Sequence, residues 1–148
     1  MKTIKILTVA FFLLAGVMAH PQRPVLPETN IYTLDGEIVR INDMVKSTDK
    51  LVIIFWKTYD KCSIDMLNAL IDENHAKENV RVIGICEDGI GRIDHVKPFV
   101  YGNCIDIEVF IDKNGDLKRA MNVPDTPFSI MCDPIIKLSG QEMYSYHY

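Results

Sequence analysis

Between Leu51 and Leu70 the hydrophobic pattern changes period once, from an unbroken apolar run to a helical stripe. Leu51 to Trp56 is six consecutive apolar residues rich in β-branched and aromatic types, the pattern of a strand covered on both faces of a parallel sheet. After the polar stretch from Lys57 to Lys61, apolar side chains return at Ile64, Leu67, Leu70 and Ile71 with Met66 beside them, which is the spacing of one helix face. The sequence therefore predicts strand, turn and helix, the helix running from Ser63 to about Lys77. Asp60 or Ser63 can accept from the unpaired N–H groups of its first turn. Cys62 falls where those groups and the helix dipole point; the helix start and Lys61 favour its thiolate while Asp60 opposes it, so the expected activation is mild.

The same patterns place the other elements. Ile31 to Leu34 and Glu37 to Ile41 alternate around Asp35-Gly36, a hairpin signal. Asn42 can cap a short helical turn through Met44 and Val45. Val80 to Cys86 is a second buried strand, and its separation from the first by a helix predicts a right-handed parallel crossover. Ile93 to Tyr101, with Pro98 inside it, reads as a second crossover helix and Ile107 to Ile111 as a further strand. The oxygen-rich stretch from Asp112 to Asp116 is no calcium loop, because its glycine comes too early and its twelfth position is Val123 rather than glutamate. It reads instead as a turn capping a helix from Leu117 to Met121. The end of the chain, Met143 to Tyr148, suits a last hairpin strand.

The stretch FWKTYDKCSIDMLNAL resembles, without a gap, the F-W-A-T-W-C-x-x-C-x-x-E-[ML]-P-x-L segment of the thioredoxin-like, TlpA-type periplasmic disulfide reductases, with Phe55, Trp56, Thr58, Ala69 and Leu70 matching. The two redox cysteines of that pattern fall on Asp60 and Ser63, and Cys62 stands at the position usually held by proline. A second stretch, Val123 to Met131, resembles the G-V-x-x-[TS]-P-[TS] signature, with Pro127 at the cis-proline, and the hairpin resembles the lead-in of the same family. The resemblance spans about Ile31 to Met143. It implies a thioredoxin-like α/β fold with an N-terminal β-hairpin and a mixed sheet, the strands from Leu51, Val80 and Ile107 parallel and the strand from Phe128 antiparallel. Too little chain follows for the C-terminal helix of that fold. A cis bond at Pro127 would turn the Thr126 backbone outward to pair with an extended peptide, so Thr126 and Pro127, with Trp56 and Tyr59 of the turn, are candidate binding residues.

Composition narrows the setting. At 48% hydrophobic and 24% charged residues, 148 residues suit one domain with a sizeable core. Met1 to Ala19 reads as a signal peptide: Lys2 and Lys5 precede a run too short for the ~20 residues of a bilayer crossing, and Val17-Met18-Ala19 closes it. Residues 20–30 form a proline-punctuated extended lead-in and 31–148 the domain. The mature protein is expected in the periplasm or outside the cell, with no stable membrane anchor. Without Lys2 and Lys5 the sixteen basic residues become fourteen, against twenty acidic, a balance of −6 with no basic run, which disfavours nucleic acid and anionic lipid as partners.

All four cysteines lie in the exported part, where disulfides are permitted. A dithiol reductase needs one thiolate to attack and a second sulfur, one helical turn away, to release the product. Asp60 and Ser63 supply neither. Cys62 is the candidate nucleophile, and Cys86, which ends the neighbouring strand at the same sheet edge, is the candidate resolving thiol and expected disulfide partner. Cys104 and Cys132 are expected reduced and buried, with strands ~4.8 Å apart between them. The spacing of a peroxiredoxin motif is absent, and His75 and His95 read as exposed helix residues rather than as part of a dyad. No metal ligand set and no cofactor are expected. Two functions fit: a single-cysteine thiol-disulfide redox protein acting on a protein or peptide thiol or disulfide partner, with weak or no dithiol turnover, or a noncatalytic module that uses the cis-proline groove to bind such a partner. An inert Cys62, filling the proline position, belongs to the second.

Overall fold

The computed structural model describes residues 26–44, 50–134 and 144–147. The expected signal segment and most of the lead-in lie outside the described residues. The elements are β1 (Asn30–Thr33), β2 (Ile38–Arg40), a 3-10 turn (Ile41–Met44), β3 (Lys50–Trp56), α1 (Lys61–Asn74), β4 (Val80–Cys86), a second 3-10 turn (Ile90–Arg92), α2 (Ile93–Gly102), β5 (Glu108–Ile111), α3 (Asp116–Ala120), β6 (Phe128–Pro134) and β7 (Tyr144–His147). They build one sheet in the order β2-β1-β5-β4-β3-β6-β7. The β3, β4 and β5 strands are parallel, and β6 runs antiparallel to β3. β1 and β2 form the expected hairpin, and β7 pairs antiparallel with β6.

β3 is buried from Leu51 to Trp56 because both of its faces are covered. Leu51, Ile53 and Phe55 join one cluster, with Ile83, Ile85, Leu117 and Met121. Ile54 and Trp56 join another, with Leu67, Val96 and Val100. The chain steps the same way along the sheet from β3 to β4 to β5, and α1 and α2 pack on one face, where Leu67 joins Val96 and Val100. The other face is covered by α3, by Ile41 and Met44 of the 3-10 turn, and by Leu26, which is 2% exposed. Leu26 therefore makes the end of the lead-in part of the core. Gly84 is required beside β3: a Cβ there would lie 2.9 Å from Nε1 of the fully buried Trp56.

One expectation is overturned. Cys104 is exposed, not buried. α2 continues through Pro98 to Gly102, and the chain then reverses with Cys104 in the left-handed region (φ 51°), outside the sheet. Cys132 is buried on β6, beside Leu51.

Candidate functional site

The turn between β3 and α1 is fixed from two sides. On the helix side, Asp60 is the N-cap: its carboxylate accepts from the Cys62 and Ser63 N–H groups at 3.3 and 3.1 Å and from the Ser63 hydroxyl at 2.6 Å. That cap starts the helix at Lys61, earlier than the apolar stripe alone indicates. The Ser63 hydroxyl, followed by the two N–H groups, holds the Asp60 carboxyl below its ordinary value, although burial opposes it. The two positions that match redox cysteines are thus joined to each other by a hydrogen bond. Cys62 stands between them, exposed and with a free thiol, on the first turn of α1. Lys61, whose charge is adjacent in sequence, is paired with Asp65 at 2.6 Å.

From beneath, the turn is held by Asp88. Its carboxylate accepts from the Thr58 N–H at 2.8 Å and from the Thr58 hydroxyl, and the Cys86 thiol donates to it at 3.3 Å. Asp88 is 8% exposed and Cys86 is fully buried. Burial, then the neighbouring Asp88 carboxylate, push the Cys86 thiol well up, so this sulfur is held as a neutral hydrogen-bond donor. In the β3–β4 register Cys86 lies beside Trp56, so Cys62 and Cys86 do share one end of the sheet. They differ in environment: one thiol faces solvent and the other belongs to the core.

A cavity of about 350 Å³ opens beside the turn, lined by Lys57, Tyr59, Asp60, Asp125 and Thr126. Lys57 spans it to Asp125 at 3.8 Å. Tyr59 is 56% exposed, and the Arg92 guanidinium lies 4.5 Å from its ring centroid. The Thr126–Pro127 bond is cis, and both residues are half-buried. The Thr126 hydroxyl has no hydrogen-bond partner among the described residues. Trp56 is fully buried and packs against Phe99, with centroids 5.9 Å apart.

Sequence reasoning overlooked Asp88 and its neighbour Glu87. The signal was there: an acidic pair directly after a buried strand whose end lies beside the active turn. Residues of that kind need partners at that edge. Among the described residues no group of three metal-ligating side chains occurs, and no helix is long and apolar enough to cross a membrane.

No protein-family model matches the chain, and no curated protein does. Solved structures do. A secreted Mycobacterium tuberculosis disulfide oxidoreductase homologous to E. coli DsbE is 18% identical with a TM-score of 0.59, the match covering 70% of this chain and 75% of that one. A thiol-disulfide oxidoreductase from Bacteroides fragilis is 15% identical with a TM-score of 0.58, over 73% and 82% of the two chains. At those identities the likeness is one of fold. An uncharacterized thioredoxin-like protein from Porphyromonas gingivalis, solved in solution, is 33% identical with a TM-score of 0.62, over 72% of this chain and 71% of the other. With that identity over that length, the chain belongs to the thioredoxin-like superfamily.

Proposed function

We propose that the chain is an exported, TlpA-type thioredoxin-like protein that engages thiol or disulfide groups of a protein or peptide partner through Cys62 alone. The observation that carries this reading is the single accessible sulfur at the turn. Cys62 is exposed on the capped start of α1, the matching redox positions are a hydrogen-bonded Asp60 and Ser63, and Cys86 is buried against Asp88. The Cys62 thiolate attacks one sulfur of the partner's disulfide, a Cys62–partner disulfide forms, and the partner's other sulfur leaves as a thiolate. With no sulfur at Ser63 to expel the partner, the mixed disulfide persists until an outside thiol attacks it. A well-placed internal thiol would act at an effective concentration of roughly 10⁵ M or more, so its absence makes turnover slow. Export is supported by the 1–19 signal pattern.

The experiment is incubation of the mature protein with a disulfide-bonded model peptide, followed by mass spectrometry and an insulin reduction assay. A one-to-one adduct on Cys62 with little turnover is expected, lost in Cys62→Ser. Adduct on Cys104, or undiminished capture by Cys62→Ser, refutes the assignment. The cavity lined by Tyr59, Asp125 and Thr126 also fits the noncatalytic binding reading. That reading prevails if the peptide binds equally well to Cys62→Ser and no adduct forms.

A further inference from the structure

At the same end of the sheet, behind the thiol turn, three charged side chains are packed together away from water. Glu87 directly follows β4 and Asp112 directly follows β5, and the register that pairs Cys86 with Ile111 brings the two positions side by side. Asp112 is 3% exposed, and its two carboxylate oxygens accept from the Asp116 and Lys118 N–H groups of α3, each at 2.9 Å. The Glu87 side chain is 6% exposed. One of its oxygens lies 3.6 Å from the Lys118 ammonium, while the other is buried with no hydrogen-bond partner among the described residues. The Glu87 carboxyl thus has one cation beside one oxygen and the Asp112 carboxylate close by, while its other oxygen is left without a donor. A proton on Glu87 removes the repulsion and supplies a donor toward Asp112.

The groups facing Glu87 are few. Asp112 faces it from the end of β5 and Lys118 from α3, while Cys86 and Asp88 flank it on its own segment. Lys57, on the outgoing end of β3, is turned toward Asp125, and Asp116 and Arg119 of α3 pair with each other at 2.6 Å. Both ends of the cluster are wired to the thiol site. The Glu87 N–H donates to the carbonyl of Trp56, the last residue of β3, at 2.9 Å, and the next residue, Asp88, holds Thr58. On the other side, the Lys118 carbonyl accepts from the Val123 N–H at 3.0 Å, where the loop to Thr126 and Pro127 begins.

We propose that Glu87 is a proton switch that couples α3, and the Val123–Thr126 loop it carries, to the turn that presents Cys62. When neutral, Glu87 bonds to Asp112 and releases Lys118. When ionised, it draws Lys118 in and is repelled by Asp112. Either change moves the two sides of the peptide cavity relative to each other. Burial and the Asp112 carboxylate, opposed by Lys118, push Glu87 up to about 7, which sets the switch at neutral pH. The switch itself requires no thiol chemistry; only its effect on Cys62 rests on the function proposed above.

The test is an NMR titration of the full chain from pH 4.5 to 9, following the Glu87 side-chain carboxyl carbon and the Thr58 and Thr126 amides. A Glu87 midpoint near 7 is expected, with both amides inflecting at the same midpoint. Glu87→Gln should abolish the amide inflections and Cys62→Ser should leave them. A Glu87 midpoint at the ordinary value of 4.5, amides that do not follow it, or inflections that survive in Glu87→Gln overturn the switch. If Glu87→Gln does not fold, agreement or disagreement of the wild-type midpoints decides alone. Failure of the Cys62 reading would show in the adduct experiment and leave these midpoints in place.

Discussion

Asp88 holds Thr58 by two hydrogen bonds across thirty residues of sequence, one to its N–H at 2.8 Å and one to its hydroxyl. These bonds tie the β4 end to the start of the thiol turn, and a change at Asp88 reaches Cys62 through backbone. Removing the carboxylate leaves the Thr58 N–H and the Cys86 thiol without their acceptor.

Asp88→Ala is expected to destabilise the fold by about 3 kcal/mol, the range for hydrogen bonds to a charged group whose partners remain buried. Urea unfolding monitored by Trp56 fluorescence measures it. A loss below about 0.5 kcal/mol would show that the turn is held by other contacts.

Gly84→Ala should cost about 1–3 kcal/mol, because the new methyl meets the indole of Trp56 at 2.9 Å and that ring is locked between β3 and α2. The same unfolding measurement applies. An unchanged midpoint would mean that the Trp56 ring shifts freely.

The four thiols should divide by exposure. Brief alkylation of the native protein is expected to label Cys62 and Cys104 and to spare Cys86 and Cys132, which are fully buried. Peptide mapping by mass spectrometry reads the result. Rapid labelling of Cys86 would show that the β4 end opens readily enough for it to resolve a Cys62 disulfide.

Installing sulfur at both matching positions, Asp60→Cys with Ser63→Cys, should raise insulin reduction at least tenfold over the parent chain. The capped helix start that such a pair needs is already in place. No gain in an otherwise folded double variant would place the loss of turnover elsewhere than in the missing sulfurs.

Stability should fall as pH rises from about 5 to 8. Glu87 has its folded value raised to about 7 from 4.5, so the native state holds a proton that the unfolded chain has released; that contribution is complete below the unfolded value and is lost as pH passes the folded one. Urea midpoints at pH 5 and 8 should differ less in Glu87→Gln than in the parent. An equal difference in both proteins would assign the effect to another group.

Much of the architecture was legible in residue order. The apolar run from Leu51 and the VRVIGIC strand have the periods that buried parallel strands require, and they occur as β3 and β4. The N-cap was legible as Asp60 or Ser63, and the structure has Asp60 as cap with Ser63 as a second donor to it. What was not legible depends on the third dimension. Cys104 was assigned to the interior because it precedes a buried strand, but the reversal after α2 turns it out. Asp88 and Glu87 carry a sequence signal as an acidic pair after a buried strand, but their partners on β3, β5 and α3 converge on the end of β4 only in three dimensions. The residues that cover the second sheet face, Leu26, Ile41, Met44 and those of α3, come from separate parts of the chain and meet only in the fold.

The seven-residue register between β3 and β4, with β6 on the other side of β3, sets an order of amide hydrogen exchange. Amides from Val52 to Phe55 lie between two hydrogen-bonded neighbours under side chains that are at most 3% exposed, so they exchange only when the whole domain opens. The edge strand β2, held to β1 by three residue pairs, can part from it without opening the centre. The thiol turn is therefore anchored to the last part of the chain to exchange, and a partner held on Cys62 would sit on its slowest-opening unit.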